Sequence, residues 1–176
     1  NQDQVGVTSF SDRIEATRAP ERGKDVYHAI LNHLAALEPK GITRFNSCLE
    51  AFAKSGHPSG MAVVISDLLD PEGVEAGLKA LMYSKFKLTV IQVLDPDEIS
   101  PQFGGRLTLT DFETGRQQTL SADLKMIAMY EKKMNEYLSK IKDFCKRSAI
   151  DYHLANTGIP FESFFLGYLL TEIRQR

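Results

Sequence analysis

Hydrophobic and polar positions fall into distinct textures along this chain. Val5 to Phe10 reads as a short strand, with Arg13 to Thr17 turning back beside it. Lys24 to Leu37 sets Val26, Ile30, Leu31, Leu34 and Leu37 at the three-and-four spacing of an amphipathic helix, which Pro39 and Gly41 end. Arg44 to Lys54 repeats that spacing with Phe45, Cys48, Leu49 and Phe52 on one side. After a loop of Ser, Gly and Pro, Met61 to Ile65 is a continuous apolar run, the pattern of a strand buried on both faces. Asp70-Pro71-Glu72 predicts a helix start, with Asp70 as N-cap, Pro71 in the first turn, and Val74, Leu78, Leu81 and Met82 facing inward. Phe86 to Leu94 is the next buried strand and stops at the acidic loop Asp95-Pro96-Asp97-Glu98.

The texture then changes. Leu107 to Thr110 and Gln117 to Leu120 alternate apolar with polar around Glu113-Thr114-Gly115, which predicts a hairpin with an exposed tip, inserted at about 105–121. Ala122 to Ser148 follows as a long helix, Ile150 to Ala155 as a last strand and Phe161 to Ile173 as a closing helix. Strand and helix in this rhythm predict one three-layer α/β domain over 1–176, a doubly wound, mainly parallel sheet. Its parallel strands are expected at Val5–Phe10, Met61–Ile65, Phe86–Leu94 and Ile150–Ala155.

Composition narrows the function classes without choosing one. The 176 residues are 43% hydrophobic and 25% charged, an ordinary globular mixture. Twenty-one basic against 23 acidic side chains give a net charge of -2, which supplies no electrostatic reason for nucleic acid or an anionic membrane as partner. No apolar stretch reaches the ~20 residues of a membrane span. The chain opens on Asn1 rather than Met and enters a strand within a few residues, so a fragment of a longer polypeptide is expected. Cys48 and Cys145 are too few for a disulfide framework or a thiolate zinc site; each reads as a small buried hydrophobe in a reducing compartment.

In a doubly wound sheet, ligands sit beyond the carboxyl ends of the strands. The ends here are Phe10-Ser11-Asp12, Ile65-Ser66-Asp67, Leu94-Asp95-Pro96-Asp97 and Ala155-Asn156-Thr157, all polar or acidic. Such residues also favour turns for local reasons. The sequence holds no Gly-x-Gly-x-x-Gly, no Walker-type loop and no Gly-x-Ser-x-Gly elbow. His28 and His33 are split across a helix rather than stacked as a zinc pair, and His57 and His153 lie in a loop and a strand. Along the long helix, Ile127, Tyr130, Met134, Tyr137, Ile141 and Phe144 form a heptad seam, expected to lie against the domain's own sheet, with a partner helix as the alternative.

Asp95-x-Asp97 after an apolar strand resembles the first motif of haloacid dehalogenase-like phosphatases, in which one Asp attacks phosphorus and the other is acid/base. That family has Thr or Val where Ile99 stands, and it needs a later Lys and an acidic pair for which this sequence offers no counterpart. Local turn formation at Asp-Pro-Asp is the competing explanation.

A wider resemblance covers almost the whole chain. Asp3 to Ser11, Leu37-Glu38-Pro39-Lys40-Gly41-Ile42-Thr43, Val63 to Pro71 and Val93 to Glu98, with the hairpin and the long helix after it, resemble bacterial von Willebrand factor A-like domains. More narrowly, they resemble the uncharacterised family called domain of unknown function fifty-eight. The resemblance implies a metal-ion-dependent adhesion site for magnesium, with Thr43 matching its Thr and Asp67 its Asp. Thr43 also reads as a helix N-cap. The Asp-x-Ser-x-Ser of that site does not occur; its strand would precede Asn1 and sit between Val5–Phe10 and Met61–Ile65 in the family's sheet. Those two strands would then pair directly, or another segment would fill the gap.

The resemblance further implies a non-catalytic protein-interaction module, cytoplasmic and in many members tethered by upstream membrane helices. Its partner would be a MoxR-type AAA+ ATPase in an assembly or maturation pathway. Binding of magnesium is expected to be weak or absent in these 176 residues and to belong to the longer protein.

Overall fold

The computed structural model describes residues 3–38, 41–101, 105–110 and 117–174, and for 105–107, 109–110, 118–122 and 168–174 the backbone alone. The described residues divide into two compact units. One takes in residues up to Pro58 together with Asp70–Ser84; the other takes in Ser59–Leu69 and the described residues from Lys85 on.

In the first unit, β1 (Val5–Phe10) and β2 (Ile14–Glu21) form an antiparallel pair, Phe10 opposite Ile14 and Val5 opposite Glu21. The turn-back expected after Phe10 is therefore present. The expected parallel placement of Val5–Phe10 is not: β1 and β2 make a two-stranded sheet of their own. The three-residue link Ser11-Asp12-Arg13 fits a hairpin, which gives β1 its antiparallel partner. The pair is bulged between Val5 and Val7. Gly6 is needed there, because a Cβ would stand 2.8 Å from the Arg18 carbonyl oxygen and 2.9 Å from the Pro20 nitrogen.

Three helices complete this unit: α1 (Asp25–Ala35), α2 (Phe45–Lys54) and α3 (Glu75–Tyr83). Phe45, Cys48 and Leu49 from α2 are buried, as are Val74, Leu78 and Leu81 from α3 and the residue before it. The Phe45 ring meets Phe10 edge-to-face, with centroids 6.0 Å apart.

Asp70 does not cap its own helix, as its spacing suggested. Asp70-Pro71-Glu72-Gly73 closes instead as a turn, the Gly73 N–H donating to the Asp70 carbonyl at 2.9 Å with Gly73 at φ 77°. Helix α3 starts after that turn, at Glu75. The Asp70 carboxylate accepts from Glu72 N–H at 2.8 Å and from Phe45 N–H at 3.1 Å, so it caps α2.

The favour is returned from α2. Asn46 donates to the Gly73 carbonyl at 2.7 Å and accepts from Gly77 N–H at 2.8 Å in the first turn of α3. Close approach makes this clasp possible, since a Cβ on Gly77 would lie 3.0 Å from Leu49 Cβ. Asn46→Ala removes both bonds and strands a part-buried donor and acceptor. It is expected to cost about 2–3 kcal/mol, read from the urea midpoint. A cost under about 0.5 kcal/mol would mean the clasp does not hold the two helices.

In the second unit, β3 (Met61–Ser66), β4 (Lys87–Leu94) and β7 (Asp151–Asn156) form a parallel sheet in the order β3-β4-β7. This α/β arrangement agrees with the expectation for those three segments. Between β4 and the long helix come α4 (Pro96–Ile99) and an antiparallel hairpin, β5 (Gly105–Thr110) with β6 (Gln117–Ala122), at the expected excursion. The hairpin tip, with Glu113-Thr114-Gly115, lies outside the described residues. Helices α5 (Leu124–Arg147) and α6 (Phe161–Arg174) follow. No helix among the described residues is long and apolar enough to cross a membrane.

The seam of α5 is buried at Met134, Ile141 and Phe144, beside Cys145, whereas Leu124, Met126, Met129 and Tyr130 in its first turns are exposed. Strand β4 is buried as expected. Strand β3 is not buried on both faces. Val64 is buried, but Met61, Val63 and Ile65 are 66%, 50% and 62% exposed. Among the described residues β3 has β4 on one side and is an edge strand, neither paired with β1 nor bridged to it by another segment.

Candidate functional site

The fold rule for parallel sheets directs attention to the carboxyl ends of β3, β4 and β7. After β3 the chain turns sharply. The Ser66 hydroxyl oxygen accepts from Leu68 N–H at 3.1 Å and an Asp67 carboxylate oxygen accepts from Leu69 N–H at 3.1 Å. Leu68 takes φ 59° while buried, a left-handed conformation that costs a non-glycine residue about 1–2 kcal/mol.

Side chains from β4 and α5 hold it there. Gln92, on β4 and 0% exposed, donates from Nε2 to the Asp67 carbonyl at 2.7 Å. Its Oε1 accepts from the Tyr152 hydroxyl on β7 at 2.7 Å. The Tyr137 hydroxyl on α5 donates to the Leu68 carbonyl. The turn is thus fixed from β4 and α5 while the Asp67 side chain stays at the surface. Neither Gln92 nor the tyrosines stood out in the sequence as site residues. The available signal was Gln92 itself, a lone amide inside Leu88-Thr89-Val90-Ile91-Gln92-Val93-Leu94.

At the end of β4, Asp95 caps α4. One carboxylate oxygen accepts from Asp97 N–H at 2.9 Å, and Glu98 reaches back to accept from Asp95 N–H at 2.7 Å, a complete capping box. The other Asp95 oxygen accepts from the Thr157 hydroxyl at 3.0 Å, just past β7. Both oxygens are engaged, so the Asp95-x-Asp97 pattern is accounted for by local capping. Asn156 accepts from Gly158 N–H at 2.8 Å.

Thr43 and Asp67 belong to different units. Thr43 is half-buried in the stretch before α2, where the cap position falls to Arg44 rather than to Thr43. That stretch is tied to the β1–β2 turn, because the Ser11 carbonyl accepts from Arg44 N–H at 2.8 Å and from the Cys48 thiol at 3.4 Å. Asp67 stands exposed on the turn already described.

Among the described residues no three His, Cys, Asp or Glu side chains group closely enough to hold a metal ion. Magnesium takes about six oxygens in octahedral geometry. One hydroxyl and one carboxylate therefore do not fit it by themselves.

Cys48 and Cys145 are free and buried, as expected. Burial pushes the Cys145 thiol up to about 11; burial, then the Asp12 charge, raises that of Cys48. Both are held as unreactive thiols.

A family model described as "Protein of unknown function DUF58" matches residues 1–138, more than half of the chain. The chain belongs to the DUF58 family. It is 31% identical over 111 residues to the uncharacterized protein Rv1480 of Mycobacterium tuberculosis, which covers 61% of this chain and 35% of that protein. The same figures hold for the uncharacterized protein Mb1516 of Mycobacterium bovis. With the uncharacterized protein MAV169 of Mycobacterium avium it shares 31% identity over 115 residues, 62% of this chain and 68% of that one. The aligned part of this DUF58 chain thus spans about a third of the first two relatives. No solved structure matches the chain.

Proposed function

We propose that this chain is a non-catalytic protein-interaction module whose contact surface includes the carboxyl end of the parallel sheet. The observation that carries the reading is the placement of Asp67: an exposed carboxylate beside a buried residue held in a strained conformation by Gln92 and Tyr137. Such strain persists only where the surroundings over-determine it, and it clusters at functional sites. Of the two residues that the family resemblance names, Asp67 is the one this sheet end contributes to a magnesium site that upstream residues of the longer protein complete. The partner we assign is a MoxR-type AAA+ ATPase, met at the cytoplasmic side in an assembly or maturation step.

Calorimetric titration of these 176 residues with magnesium should give a dissociation constant no tighter than about 1 mM, the range of weak oxygen-ligand sites. The longer protein should bind tighter and lose that binding in Asp67→Asn, which keeps the acceptor that Leu69 N–H needs. Tight binding by the short chain, unaffected by Asp67→Asn, would show the metal residues to be wrongly assigned. For the partner, the longer protein should bind the ATPase at least about tenfold more weakly in Asp67→Asn, or about 1.4 kcal/mol. Unchanged affinity would remove this end of the sheet from the interface.

A further inference from the structure

At the side of the sheet away from β3, the strand β7 borders a cleft. β7 pairs with β4 on one side only, so its outer backbone groups meet no strand among the described residues. The cleft holds about 390 Å³ between β7, α5 and α6, within the range of ligand-binding clefts. Its lining is mixed. Lys142 of α5, His153 of β7 and Ser163 of α6 bring a cation, an imidazole and a hydroxyl, while Leu154, Ile159 and Phe164 supply an apolar wall. Lys142 pairs with no carboxylate among the described residues. The one carboxylate on β7, that of Asp151, stands 3.8 Å from the Lys87 ammonium on β4.

We infer that this cleft binds the free carboxyl terminus of an extended peptide whose last side chain is apolar. Three features choose that ligand. An open strand edge takes main-chain hydrogen bonds from an extended segment, and pockets beside it read the side chains. Lys142 offers a charge-assisted hydrogen bond to a carboxylate. Leu154, Ile159 and Phe164 gain from covering an apolar side chain. Only the last residue of a chain carries a carboxylate and an apolar side chain on the same Cα. An internal Asp or Glu brings the charge without the apolar group, and a small carboxylate brings no backbone for the edge. β4 separates β7 from the strand that leads to Asp67, so the inference goes beyond the cation reading and does not rest on it.

The test mixes the longer polypeptide with a pool of peptides of about eight residues, an ordinary strand length. All positions are randomised except the last, a leucine with a free carboxylate. Retained peptides are read by mass spectrometry, and the best is made as acid and as amide. The acid should bind at least about tenfold more tightly than the amide, and Lys142→Gln should remove most of that difference. Gly167 also lines the cleft and has open space where a Cβ would stand, so Gly167→Leu should abolish binding by filling it. Lys142 is exposed, so its variant decides the matter even where Gly167→Leu is misfolded. An empty selection, equal binding of acid and amide, or full binding by a folded Gly167→Leu would each overturn the inference. So would a doubled mass by light scattering with slow hydrogen exchange at 151–156, which would give the edge to a second copy. Magnesium enters none of these measurements, so failure here leaves the Asp67 experiments to stand or fall alone.

Discussion

Phe45→Ala is expected to lower stability by about 3–5 kcal/mol, the range for emptying a well-packed aromatic site. Phe45 is 1% exposed, among the largest fully buried side chains, and its ring is held against Phe10. Its backbone N–H is the group that Asp70 caps, so the side chain and the start of α2 are fixed together. Phe45→Leu keeps most of the apolar volume and should cost no more than about 1.5 kcal/mol. Urea unfolding followed by circular dichroism measures both. A loss under about 1 kcal/mol for the alanine variant would mean that the core of the first unit lies elsewhere.

Gln92→Ala should cost about 2–4 kcal/mol, for a different reason. The packing loss is modest, but the Asp67 carbonyl and the Tyr152 hydroxyl both lose their partner inside the protein. Each stranded part-buried group costs up to about 1–3 kcal/mol. The amides of Leu68 and Leu69 should also exchange faster, because the strained turn loses one of its two anchors; unchanged exchange would show that Tyr137 suffices. The same site predicts an alkaline limit. Burial first, then Cys145 and Tyr137, push the Tyr152 phenol up to about 12. An unfolded phenol titrates near 10, so the folded state holds this proton more tightly. That stability is fully present below about pH 10 and is lost as pH rises through about 12. Tyr152→Phe should flatten the fall in stability above pH 10; an unchanged alkaline profile would assign it to another group.

The sequence was most legible where a local pattern decides the outcome. The runs at Met61, Phe86 and Ile150 predicted three parallel strands, and Asp-Pro-Asp at 95–97 predicted its own capped turn. It was least legible where the partner is distant. Asp70 looks like the cap of the helix just ahead of it, and only the fold brings Phe45 N–H to its carboxylate. Asn46 has no local signature, since its two bonds reach residues 27 and 31 positions away. An apolar run such as Met61–Ile65 reports that a strand prefers burial, not how much cover its neighbours supply. For the candidate site, Asp67 was legible as a strand-end carboxylate. The Gln92–Tyr152 support was not, because it depends on register between β4 and β7.

The way the two units share the chain also sets an order of events at the ribosome. The first unit needs Asp70–Ser84 as well as the residues up to Pro58, so it cannot close until Ser84 has emerged. Met61–Ser66 emerges before that and belongs to the other unit. Its partner β4 begins at Lys87, roughly one to five seconds later at ordinary rates of synthesis. During that interval the nascent chain trails an uncharged strand with nothing to pair against. Translation speed across codons 67–87, and the chaperones within reach of the exit tunnel, should therefore govern how much of this protein is recovered soluble.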